Sequence, residues 1–159
     1  MMVRKFTYFH RKIQNMTNAI VHLNWLMVLL STVIYYAIGA IWYTVLFGKI
    51  WARLNGFDPN GDRSGFVQAM IIGFILTFGI CTTAGLLVNA MGGCKQWDCF
   101  MIRSYALLAG LVVGLVGTAL NYQKKPWTLW FIDIGYHLIA LLPVCYLMAK
   151  YGMTSHSMK

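Results

Sequence analysis

Four runs of mainly apolar residues, 23–47, 66–91, 101–122 and 128–149, constrain this chain more than any other feature. Each is long enough to cross the roughly 30 Å hydrocarbon core of a bilayer, which takes about 20 residues of α-helix. None alternates with the period of two that a transmembrane barrel requires. Backbone groups in lipid must be satisfied internally, so the runs predict helices. Their connections are short, which favours neighbours running in opposite directions. The expected fold is an all-α integral membrane protein, a four-transmembrane-helix antiparallel bundle over residues 23–150. A basic tail, residues 1–22, precedes it and a short tail, 151–159, follows.

Composition supports the bilayer. Apolar residues make up 59% of the chain and charged residues 11%, against roughly 45–50% and about 25% in soluble domains. A soluble core of this size could not hide so much apolar surface. The net charge of +9 falls mostly in the tails and between the runs, where topology and anionic headgroups account for it. No basic stripe is interleaved with stacking aromatics, which argues against nucleic acid. Cys81 and Cys145 lie within apolar runs as small hydrophobes. Cys94 and Cys99 flank a short loop without further ligands for zinc; two free thiols are expected there, with a disulfide as the alternative if the loop faces an oxidising compartment.

The N-terminal tail holds Arg4, Lys5, Arg11 and Lys12 without an acid. The apolar run behind it is too long for a signal h-region, so an uncleaved first span is expected. Met16 is an alternative start. With the tail, the N-terminal, second-loop and C-terminal side carries eight Lys/Arg against five in the first and third loops. Both termini are then expected in the cytoplasm. Without the tail the count is four against five.

Helices in lipid associate through small residues that allow close backbone approach. Gly110, Gly114 and Gly117 share one face of the third run, as do Gly73, Thr77, Cys81 and Ala84 of the second. Packing inside the bundle is the expected use of the glycine stripe; a homodimer seam is the alternative. Residues 56–62 contain Gly56, Asp58, Asn60 and Asp62 but lack the glycine position and distal Glu of a calcium loop, and read as a turn. Charged groups within spans need a partner or a wet cavity. Asp133 and His137, four residues apart, share a face of the last run. Tyr43, Gln68, Thr118 and Asn121 sit at comparable depth, so a polar cluster opening toward the first and third loops is expected. Its simplest role is an interhelical hydrogen-bond network; a proton or solute path is the alternative. No catalytic pair, cofactor motif or metal ligand set is visible, so neither cofactor nor metal is expected.

The first run closes with Gly39, Trp42, Tyr43, Leu46, Phe47, Gly48, Lys49 and Trp51, an aromatic and cationic membrane exit. With His22, Leu23, Asn24 and Trp25 at its entrance, Pro126, and the stretch from Ile132 to Leu138, the chain resembles the small four-span bacterial membrane proteins of domain of unknown function 1761. That likeness covers most of the chain beyond Met16 and implies no activity. The expectation is a non-enzymatic structural, oligomeric or accessory module of a bacterial inner or plasma membrane. Its partners would be the lipid bilayer and either a second copy or a membrane complex. The alternative is a small transporter or channel using Asp133, His137 and Asn121.

Overall fold

The computed structural model describes residues 20–57, 65–90 and 96–152. Residues 1–19, 58–64, 91–95 and 153–159, which include most of the basic tail, most of the expected 56–62 turn and Cys94, lie outside them. Helix α1 (Trp25–Ile41) runs into a π-helical turn, Trp42–Leu46, followed by the short α2 (Gly48–Asn55). Helices α3 (Phe66–Ala90), α4 (Trp97–Tyr122) and α5 (Trp127–Tyr151) complete the order. No strand occurs among the described residues. Four segments are long and apolar enough to cross a membrane: Trp25–Leu46, Phe66–Val88, Trp97–Tyr122 and Trp127–Tyr151.

Local chemistry sets the ends. Asn24 caps α1 through its side-chain oxygen, which accepts from the Met27 amide at 3.3 Å, satisfying one of the free N–H groups of the first turn. Gly56, at φ 69°, ends α2 in the left-handed conformation that costs glycine little. Helix α4 starts four residues earlier than hydropathy indicated. Trp97 and Asp98 make its first turn polar, yet an acid there complements the N-terminal end of the helix dipole. Pro126 stands at the entry to α5, where a missing N–H is harmless.

Helix α5 is the centre of the structure. Leu129, Ile132, Tyr136, Ala140, Leu141, Val144, Cys145 and Met148 are all buried, a spacing of three and four that lays one continuous face against its neighbours. Along α1 residue numbers rise as those of α5 fall: the Asn24 amide donates to Gly152 O at 2.9 Å, Tyr35 bonds His137, and Trp42 bonds Ile132. Helix α4 meets α5 similarly, through Trp97 and Tyr146, Tyr105 and Leu138, and Gly117 under Trp130. The α3 stripe points inward as expected: Thr77, Cys81 and Ala84 are buried, and Gly73 lies beneath Tyr36.

Two expectations change. Gly110 and Gly114 face open space, with nothing within 4 Å of an added Cβ; of the three stripe glycines only Gly117 packs inside the chain. Cys99 is disulfide-bonded, whereas Cys81 and Cys145 are free and buried. Hydropathy gives a helix's rotation about its axis poorly, and loop spacing gives a cysteine's oxidation state not at all.

Candidate functional site

The Gly39–Trp51 segment is a docking element for α5. In the π-helical turn the Phe47 amide donates to Trp42 O at 2.9 Å, one residue wider than α-helical bonding. Trp42 and Tyr43 enter this turn on the α5 side. The Trp42 indole N–H donates to Ile132 O at 3.0 Å, and its ring lies 3.5 Å from where a Cβ on Gly135 would sit. The Tyr43 hydroxyl donates to Asp133 Oδ1 at 3.0 Å. Lys125 lies close enough to that carboxylate to act on it by charge.

The glycines of the segment are seats. A Cβ at Gly39 would stand 2.8 Å from the Tyr136 hydroxyl oxygen, and one at Gly48 would stand 2.8 Å from Tyr43 O. Both are closer than real Cβ contacts, so any side chain there displaces the Tyr136 ring or the turn itself. Rings close the assembly: Trp42 on Phe47 at 4.8 Å, Tyr43 edge-on to Trp51 at 5.5 Å and to Tyr136 at 5.1 Å. Such pairs add about 0.5–1.5 kcal/mol each beyond the area they bury. The Lys125 ammonium donates to Asn55 Oδ1 at 3.3 Å, tying the connection before α5 to the end of α2.

Deeper in the bundle, the Tyr35 hydroxyl shares a hydrogen bond with His137 Nδ1. The Tyr136 hydroxyl donates to Tyr35 O at 3.4 Å, and the Tyr35 and Tyr136 rings meet edge-to-face at 5.3 Å. Asp133 and His137 thus each have a tyrosine of the first span as partner. Tyr43 and Tyr136 meet through their rings, so the two polar pairs are neighbours joined by an aromatic contact.

Of the expected cluster, Tyr43, Asp133 and His137 come together. Gln68 is exposed on α3. Asn121 is exposed on α4, in a groove with Thr118, Gly114 and Trp130. Equal depth put these residues at one level, but their helices turn them outward. Lys49 is exposed. Tyr35 and Tyr136 belong to the site and were missed as ordinary span aromatics; their spacing to Gly39 and His137 was the available signal. A second unforeseen feature is an interior set of small polar side chains, Ser31, Thr32, Ser104 and Thr77. Thr32, Thr77 and Ser104 bond back to their own helices, the usual solution in lipid, while Ser31 Oγ is buried without a partner. No group of three or more His, Cys, Asp or Glu side chains suited to a metal occurs among the described residues.

Four helices long and apolar enough to cross a bilayer mark a multi-pass membrane protein. A family model described as "Protein of unknown function (DUF1761)" matches residues 26–149. The chain belongs to that family. No curated protein and no solved structure matches it. The matched span contains the Gly39–Trp51 element and the α5 residues it docks on, so the resemblance drawn from those motifs rests on one interface.

Proposed function

We propose that the protein is a non-enzymatic membrane module, structural or accessory to a larger assembly, whose polar span residues lock helices together. The bond between Tyr43 and Asp133 carries this reading: the carboxylate meets a phenol donor of its own chain, whose ring is backed by Trp51. A transport path would draw on Asn121, yet that side chain faces away from Asp133 and His137. The order of contacts along α1, α4 and α5 supports an antiparallel bundle. Proton flux in proteoliposomes tests the lock. The account expects no protein-dependent flux, and none lost in Asp133→Asn/His137→Ala. Flux in the parent that vanishes in that variant overturns it.

A plasma-membrane location with the Asp133 end toward the cytoplasm fits one observation. Disulfides persist where the compartment is oxidising, and Cys99 lies at the opposite end. The Lys/Arg count of the whole sequence, eight on the side of the termini against five at the Asp133 end, favours cytoplasmic termini instead, so the disulfide alone carries this orientation. After reduction, an impermeant maleimide applied to intact cells should label Cys99 and spare an introduced Lys124→Cys. The reverse pattern contradicts this orientation.

A further inference from the structure

We infer that the end of the bundle formed by α2 and the connection before α5 is a binding face for the headgroups of anionic phospholipids. Helix α2 begins two residues after the first span ends, at the depth of the membrane interface. Its Lys49 and Arg53 are exposed and four residues apart, hence on one side of the helix, where two like charges repel. No acid lies in α2. The bond from Lys125 to Asn55 draws a second segment against the end of α2, bringing the exposed Lys124 to the same end. Lys124 adopts φ 53°, turning the chain between Tyr122 and Trp127.

Around these cations the surface is that of an interface. Tyr122 is 82% and Trp127 70% exposed, and Phe57 and Ile50 are also exposed. Apolar rings with a polar edge settle at headgroup depth, and an amphipathic helix lies in that plane with its cations toward anionic lipid. The one carboxylate among the described residues of this end, Asp133, is already engaged by Tyr43. Asp58 and Asp62, which follow α2 in the sequence, lie outside the described residues; among the described residues Lys49, Arg53 and Lys124 present charge that a phosphate complements, and the Arg53 guanidinium can bind one bidentately.

The test is native mass spectrometry of the full chain in detergent, titrated with phosphatidylglycerol or phosphatidylcholine. Phosphatidylglycerol should be retained preferentially. Each cation near a membrane surface contributes about a fivefold factor, so Lys49→Gln/Arg53→Gln/Lys124→Gln should weaken retention on the order of a hundredfold. The paired variant Arg103→Gln/Lys150→Gln, at the other end, should retain the lipid as the parent does. Circular dichroism of each variant reports that the helices persist. Equal retention of the two lipids by the parent overturns the inference, as does equal loss in both variants.

Discussion

The seam between α1 and α5 and the outer face of α4 both place glycines on membrane-spanning helices, and the two sets have opposite surroundings. Gly39 and Gly135 lie under the rings of Tyr136 and Trp42. Gly110 and Gly114 lie under nothing. Close backbone approach is the usual reason for glycine in a membrane helix. Here the seam uses glycine differently, as a floor for aromatic rings whose polar tips then bond to the partner helix. A glycine's role in lipid is read from what stands above it, and spacing alone does not supply that.

The comparison breaks most sharply at Gly39. A methyl group there presses on the Tyr136 hydroxyl, and Gly39→Ala is expected to cost about 1–3 kcal/mol by overpacking. Reversible unfolding in mixed micelles measures it. Next comes Tyr43→Phe, which leaves the ring contacts in place and strips the Asp133 carboxylate of its phenol donor. The loss should be about 1–2 kcal/mol, with Asp133→Asn milder because an amide oxygen still accepts. Trp42→Phe keeps a ring near Gly135 and removes the donor to Ile132 O, a smaller loss of about 0.5–1.5 kcal/mol. At the far end of the scale, Gly110→Ala and Gly114→Ala should leave the monomer unharmed. Alanine's better helix propensity adds about 0.5–1 kcal/mol. A large loss at Gly114 in dilute micelles would show that the outer face is packed after all.

Much of the architecture was legible because lipid leaves few choices. Span number followed from run length, and the Asp133–His137 pair stood out because charge in a span demands a partner. The membership of the cluster was less legible. Depth along the membrane normal follows from counting residues, but the direction a side chain takes depends on helix rotation. Asn121 and Gln68 share the depth of Asp133 and point elsewhere. The π-helical turn was invisible for a related reason. It needs no proline or glycine at its centre, and it announces itself only in the register by which Trp42 and Tyr43 both reach α5. Tyr35 and Tyr136 were hidden by abundance, since a tyrosine in an aromatic-rich span looks like any interfacial anchor until its hydroxyl is traced to a partner.

The most direct test of the lock is the double-mutant cycle joining Tyr43→Phe and Asp133→Ala, read by unfolding free energies in micelles. Residues in one hydrogen bond couple by about 0.5–3 kcal/mol. The account predicts a coupling of at least about 1 kcal/mol, so that the double variant loses less than the sum of the single ones. Strictly additive losses would mean that Tyr43 does not hold Asp133, and that the Gly39–Trp51 element docks on α5 by its rings alone.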